Sequence, residues 1–494
     1  MKKVLFVEFW NCNPHLETAL ELAKLHLDAG DQVAFYFAGH DTPYKEGIAV
    51  APEDCGPFRK LPEQLGAELI GLNRRNFHGR VTMPSVQFDI PQKFENLEQL
   101  MALKYGTFEL GIAVGSSLVS DTRNSQPNLD EQLPTIRRMI LGAVQVYELV
   151  KGLIAKEAPD LVYLFNGRFC NYRAAMRATL DMGKELLLHE RGANRFLYDV
   201  QPFMSHDVVR WQENIVSEWA RCGNEPGARE IGERFFTDRR AGLEQFWVSF
   251  TDHQKRNLVP AMDPVKKFVT YFSSSDDEFV SVGDMFKFTV WQSQFDAVRD
   301  LIRICSGGEN IQLFIRLHPH VRKKSREDQL RWLALGEIKG VNIVSFDSDV
   351  DTYALIDQSD VVVTAGSTVG IEAVFWRRPS ITLGPSYYSE LGVTLHPRSS
   401  AELKAMLASD KLPVERERTI PYGYYMSTFG TKFLHYVPET LFKGKFMGVD
   451  LHGVTEKRLK WLRLKQIATK PIRALSKLSG KLSGSTQKTN SLKR

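Results

Sequence analysis

The sequence predicts an α/β protein built from two doubly wound, Rossmann-like domains facing a central cleft, with a basic C-terminal tail. Three observations carry this prediction. Short apolar runs alternate with helix-length amphipathic segments in two separate series, the pattern of parallel sheets covered on both faces. Two of the runs, residues 186–192 (LLLHERG) and 314–320 (FIRLHPH), end in polar, chemically able side chains. Buried strands do this where they open into loops, and ligands of open α/β sheets bind outside those carboxyl ends. Finally, 494 residues exceed one ordinary core, so two domains are expected.

The first series, assigned to a domain over 1–245, opens with a strand at 4–9, a helix at 15–29 closed by Gly30, and a strand at 32–38. Residues 43–134 are rich in Gly, Pro and Asn and read as loops and short helices. Helical spacing over 136–156 places Met139, Ile140, Ala143, Val146, Tyr147, Val150, Leu153 and Ile154 on one stripe. A strand at 161–165, a helix at 170–181 and a strand at 186–189 follow. Residues 207–246 read as helical with a solvated face of alternating charge. The second series, assigned to 265–445, predicts strands at 268–272, 311–317, 341–346, 361–364 and 380–383. Helices are expected between them at 289–305, 326–335, 351–358 and 369–376.

Bulk properties exclude several classes. Apolar content of 43% and charged content of 25% are those of a globular protein. The five cysteines (Cys12, Cys55, Cys170, Cys222, Cys305) lack paired spacing, which argues for a reducing, cytoplasmic setting over a disulfide framework. Glu8 interrupts the first apolar run, so a secretory signal is not expected, and no run reaches the roughly 18–20 apolar residues of a membrane span. Residues 451–494 hold twelve Lys/Arg against one acid, Glu456, which leaves the first 450 residues at a net −6. Within that tail, Trp461, Leu462, Leu464, Ile467, Ile472, Leu475 and Leu478 alternate with basic residues. This suits an anionic membrane surface; the acidic remainder and the lack of a nucleic-acid module argue against nucleic acid.

Four motifs carry the chemistry. In Arg316-Leu317-His318-Pro319-His320 the proline fixes a turn and holds two imidazoles that can donate to a phosphate oxygen. Residues 364–373 (TAGSTVGIEA) read as strand, small-residue turn and helix start. Ser367 and Thr368 would offer hydroxyls to an anion, and Glu372 would accept from ribose hydroxyls. Glu190 ends a strand as a candidate general base, with Arg191 beside it and Asn166 and Arg168 ending the neighbouring strand. Ser273, Ser274 and Ser275 open the second domain, and their hydroxyls either reach a nucleotide phosphate or cap the next segment. The following Asp276, Asp277 and Glu278 stand on a turn and point apart, so no metal is expected. His15, after Asn13-Pro14, reads as a helix-start residue that could reach an acceptor. Ordinary capping explains Ser367, Thr368 and Glu372 equally well, and a salt bridge to Arg191 or Arg195 is the plain alternative for Glu190.

Together these pieces resemble the capsule polysaccharide biosynthesis family, which includes Kdo transferases and is related in pattern to polysialyltransferases. The matching residues are Asn166-Gly167-Arg168, Glu190-Arg191-Gly192, Ser273–Ser275 with Asp277-Glu278, His318-Pro319, and Ser367-Thr368 with Glu372-Ala373. The resemblance implies a GT-B glycosyltransferase with the donor in the C-terminal domain and the acceptor in the N-terminal one. It implies Glu190 as base, His318 as donor-phosphate ligand, and Ser367 and Thr368 beside it. Arg191 departs from the polysialyltransferase pattern, which has a second acid there. The expected activity is inverting, metal-independent transfer from a nucleotide sugar, CMP-Kdo-like among the candidates, to a cell-surface glycan or its lipid-linked precursor, on the cytoplasmic face of the inner membrane. The expected substrate-binding set is Asn166, Arg168, Arg191, Ser274, Ser275, Arg316, His320, Ser367, Thr368 and Glu372. Three alternatives remain: a CDP-polyol phosphotransferase, a nucleotide-sugar epimerase, or a non-catalytic assembly protein.

Overall fold

The computed structural model describes residues 1–45, 62–243, 245, 251, 253–275, 280, 282–307 and 310–452. The acidic run at Asp276, Asp277 and Glu278 and the basic tail expected to bind a membrane therefore lie outside the described residues. Among the described residues no helix is long and apolar enough to cross a membrane.

The N-terminal half starts as a βαβ unit of β1 (Lys3–Glu8), α1 (His15–Asp28) and β2 (Gln32–Phe37), with β1 and β2 in parallel register. The stretch read as irregular contains α2 (Pro62–Leu69), β3 (Phe77–His78), α3 (Leu97–Met101) and α4 (Leu110–Thr122). Ten of the thirteen residues of α4 are buried, so it has no polar face for a periodicity reading to find. α5 (Leu129–Glu157) buries the predicted stripe and begins earlier than expected. Asn128 caps it by accepting the Glu131 N–H, and Asp130 and Glu131 complement its dipole. β4 (Leu161–Phe165), α6 (Cys170–Asp181) and β5 (Glu185–Arg191) follow; β6 (Leu197–Gln201) then runs back antiparallel to β5. α7 (Val208–Cys222) and α8 (Ala228–Arg240) fill the helical stretch expected next.

The second series is β7 (Lys267–Phe272), α9 (Gln294–Ser306), β8 (Ile311–Arg316), α10 (Arg326–Leu333), β9 (Val341–Val344), α11 (Thr352–Gln358), β10 (Val361–Thr364), α12 (Val369–Phe375), β11 (Ser380–Thr382) and α13 (Ser400–Ala408). The chain then leaves this domain through α14 (Ile420–Thr428) and returns to the first sheet. β12 (Thr431–Lys432) pairs with β6, and β13 (Tyr436–Thr440) and β14 (Lys443–Phe446) form a hairpin. This differs from the expected 265–445 assignment. The return is fixed by the buried Glu21 carboxylate on α1, which accepts the backbone N–H groups of Leu434, His435 and Tyr436 and lies 3.1 Å from His435 Nδ1.

The result is an α/β protein with two Rossmann-like sheets within one compact unit, residues 1–449. Strand order is β12-β6-β5-β4-β1-β2-β3 in the first and β11-β10-β7-β8-β9 in the second. The parallel strands β5, β4, β1, β2 and β3 reverse their winding between β1 and β4; the all-parallel second sheet reverses between β7 and β10. Such reversals open a crevice at the carboxyl ends of the strands, where ligands bind. A shared aromatic cluster joins the two series: Trp211, Phe235 and Phe236 from α7 and α8 pack with Phe375, Tyr388, Tyr425 and Phe429. The solvated face expected for 207–246 is thus only one side of those helices.

Candidate active site

The first crevice is lined by the segments after β1, β4 and β5. Glu190 is the penultimate residue of β5, and its side chain keeps 20% exposure. Asn166 Nδ2 donates to its Oε2 at 2.5 Å, and the Arg191 backbone N–H donates to its Oε1 at 3.0 Å. Burial outweighs these donors and the Arg191 and His189 charges, and holds the carboxyl above its ordinary range. That is the direction a general base working near neutral pH requires. His15, the first residue of α1, brings Nδ1 to 3.6 Å from Glu190 Oε1. Behind Glu190, His189 and Glu8 form an enclosed pair at 2.8 Å, with the Tyr172 hydroxyl donating to Glu8.

Asn166 holds a left-handed turn (φ +54°), and its Oδ1 accepts the Arg168 N–H. Arg168 is expected to bind substrate, but its guanidinium is buried and turns to α4, donating to Ser116 Oγ at 2.9 Å and Ser120 Oγ at 3.0 Å. It fastens the Asn166 loop to α4. Arg191 reaches the Asn13 carbonyl at 3.4 Å and stacks over the Phe442 ring. With Pro14, Arg195, Tyr436 and Thr440 it lines a small recess beside Glu190.

The second crevice is built from the ends of β7, β8 and β10. Ser273 Oγ accepts the His318 backbone N–H at 2.8 Å, tying the first turn to the HPH turn. His318 Nδ1 accepts the His320 N–H at 3.1 Å. In the neutral ring the proton must then sit on Nε2, leaving that nitrogen a donor. His320 packs edge-on against His318, with centroids 4.9 Å apart. Ser274 and Ser275 are buried. Gln294 brackets Ser274 from α9, accepting its N–H at 2.6 Å and donating to its carbonyl at 3.2 Å. Arg316 departs from expectation: its guanidinium is buried and donates to the carbonyls of Ser345 and Ser348. Burial lowers its pKa to about 10. It carries its charge into the loop after β9.

At the third turn Ser367 N–H donates to Thr364 Oγ1 at 3.0 Å. Gly366 adopts φ +152°, and a Cβ there would lie 2.4 Å from the Pro385 carbonyl oxygen, so only glycine lets this turn pack on 385–388. Thr368 Oγ1 accepts from Arg239 Nη2 at 3.2 Å. Glu372 is expected to meet ribose, yet it is 2% exposed, with one oxygen accepting Arg239 Nε at 3.0 Å and the other the Tyr353 hydroxyl at 2.6 Å. Helical spacing from Thr368 turns it toward α8. Arg239, Tyr353, Ser205 and Tyr387 carry no local motif, and sequence reading missed them.

A short relay connects the two crevices. Asn166 Nδ2, which donates to Glu190, also donates to Ser205 Oγ at 3.0 Å, and the Ser205 carbonyl accepts from the Tyr387 hydroxyl at 3.5 Å. The adjacent Tyr388 hydroxyl donates to the Ser367 carbonyl. Gln212 adds a second tie, donating to the Ser386 carbonyl and accepting the Glu390 N–H. The segments bearing Glu190 and Ser367 are therefore tied through one short series of hydrogen bonds. Among the described residues, no group of three or more His, Cys, Asp or Glu stands close enough to hold a metal ion.

Comparison with known proteins adds the following. The Thermosulfurimonas dismutans KpsC β-Kdo 2,4 transferase matches at 16% identity and a TM-score of 0.37, over 55% of this chain and 80% of that chain. The β-Kdo 2,7 transferase structure of the same KpsC matches at 15% identity and a TM-score of 0.36, over 56% and 80%. A Methanocaldococcus jannaschii UDP-GlcNAc 2-epimerase, in complex with UDP-GlcNAc and UDP, matches at 11% identity and a TM-score of 0.30, over 85% and 98%. A comparison with curated proteins finds no match. Residues 286–412 match the profile described as capsule polysaccharide biosynthesis protein, a stretch that includes both the HPH turn and the Ser367–Glu372 segment. Over that stretch, about a quarter of its length, the chain is similar to the capsule polysaccharide biosynthesis family.

Proposed function

We propose that the protein is an inverting, metal-independent glycosyltransferase. It would move a sugar from a nucleotide-activated, CMP-Kdo-like donor to a capsular or other cell-surface glycan or its lipid-linked precursor. One observation supports this reading: a partly exposed carboxylate of raised proton affinity is linked through Asn166, Ser205, Tyr387 and Tyr388 to a hydroxyl-bearing turn of the second sheet. The similarity of residues 286–412 to capsule polysaccharide biosynthesis proteins supports the substrate class.

In this reaction Glu190 takes the proton of an acceptor hydroxyl as its oxygen attacks the anomeric carbon, and the bond from that carbon to the donor phosphate breaks. The proton ends on Glu190 and the electron pair on the phosphate. His318 Nε2–H donates to that oxygen, and the hydroxyls of Ser367, Thr368 and Ser275 surround it. Fixed donors of this kind contribute ~10²–10³ in rate each. Attack from the face opposite the leaving group inverts the anomeric centre. The basic segment within 455–482 would keep the enzyme at the anionic cytoplasmic face of the inner membrane, near a lipid-linked acceptor.

The test is a thermal-shift series with CMP, CDP, UDP and GDP, because a ligand at 100 times its Kd stabilises the native state by about 2.7 kcal/mol. The expected result is the largest shift with CMP, lost in His318→Ala and kept in Glu190→Gln. Sugar transfer should fail in both variants. No shift with any nucleotide, or full transfer by Glu190→Gln, overturns the proposal.

A further inference from the structure

His15 has a placement that helix formation does not explain. It follows the cap residue Pro14, whose side chain makes no capping hydrogen bond. Its ring is clamped between Trp10, stacked at 5.5 Å, and Phe165, at 4.1 Å. The backbone around it is pinned: Leu16 N–H bonds to the Cys12 carbonyl, and Thr18 donates to the Pro14 carbonyl from both its N–H and its hydroxyl. The ring therefore cannot swing away. Nδ1 is buried, has no hydrogen-bond partner, and lies 3.6 Å from Glu190 Oε1. A buried polar atom left in that state costs about 1–3 kcal/mol, and a shift of a few tenths of an ångström would satisfy it.

We propose that His15 is a positioning residue whose Nδ1–H closes on the Glu190 carboxylate and sets its orientation and proton affinity. The inference rests on the reading of Glu190 as the base and adds a third donor to the two from Asn166 and Arg191. Burial, helped by the Arg191 and His189 charges, holds the His15 pKa well below its ordinary value. The ring thus acts as a neutral donor and does not compete for the proton that Glu190 takes. The titratable and charged groups facing Glu190 are Arg191 and His189 on β5, Asp199 across the β5–β6 pairing, and His15 on α1. From the loops after β4 and β6, the non-titrating Asn166 donates to Glu190 and bonds Ser205, while the charged Arg168 and titratable His206 of those loops meet each other at 3.4 Å, with His206 Nδ1 at 3.2 Å from Ser205 Oγ.

The Arg191 amide donates to Glu190 Oε1, so its chemical shift reports the carboxylate without any substrate. With the full chain deuterated and labelled with ¹⁵N-arginine, the Arg191 amide is followed from acid to alkaline pH. Glu190→Gln identifies the inflection by removing it. His15→Phe keeps an aromatic ring and removes the donor; the midpoint should rise by about half a pH unit, about threefold in proton affinity. His15→Asn returns an N–H near the Nδ1 position and should bring it back. A midpoint unmoved in the Phe variant, or a shift that Asn does not reverse, overturns the inference. The wild-type ring supplies a measurement that needs no variant: its ¹⁵N shifts should show the proton on Nδ1, and a bare Nδ1 would equally refute the role. These failures leave the general-base reading intact if Glu190→Gln abolishes transfer. Retained transfer in Glu190→Gln would sink that reading itself.

Discussion

Glu21 controls how the end of the chain closes on the first sheet, and Glu21→Gln tests this. Its Oε1 accepts the Leu434 N–H at 2.8 Å and lies 3.1 Å from His435 Nδ1; its Oε2 accepts the His435 N–H at 3.0 Å and the Tyr436 N–H at 3.1 Å. Glutamine keeps one acceptor oxygen and turns an NH₂ group toward the other two donors. Two charge-assisted bonds are lost, each worth about 1.5–3 kcal/mol, and donor then faces donor in a buried site. A local cost of about 3 kcal/mol follows, or about 10²-fold faster opening of the segment. Hydrogen exchange of the 434–436 amides reads this directly. The neighbouring Asn13 should loosen too, because the Tyr436 hydroxyl donates to its Oδ1 at 2.6 Å beside Pro14 and His15. Unchanged exchange at 434–436 in the glutamine variant would refute the claim that this carboxylate anchors the return.

Two further outcomes are expected. Burial raises the Asp199 pKa to about 6. A carboxyl raised in the folded state favours folding below its unfolded pKa, near 4, and loses that contribution as pH climbs through about 6. Asp199→Asn should therefore stabilise the protein by about 1–3 kcal/mol at pH 8 and by nearly nothing at pH 4; an equal gain at both pH values in urea unfolding would contradict this. Arg239→Met leaves the buried Glu372 with only the Tyr353 hydroxyl and should cost about 3 kcal/mol, most of it recovered when Glu372→Gln is added. A double-mutant cycle showing no coupling would mean the pair is incidental.

Much of this protein was legible in the sequence because strand and helix periods are local properties. The apolar runs at β1, β4, β5, β7, β8 and β10 gave the two series, and the polar residues ending them sit at the carboxyl edges. Elements whose character is set by their surroundings were not legible: α4 is enclosed and shows no amphipathic face, and β6 exists because it pairs with β5. Sequence also selected Glu190, Asn166, His318 and Ser367 by position alone.

Which atoms each of these meets was decided only in three dimensions. Arg316 and Arg168 have the right charge and register for the cleft, yet loop carbonyls and α4 hydroxyls satisfy them inside the protein. Glu372 is claimed by Arg239, 133 residues away in sequence, and the Glu21 anchor spans more than 400. A chain specifies its own periodicity over a few residues. Hydrogen-bond partners drawn from distant segments exist only once burial has made an unpaired charge too costly to leave alone.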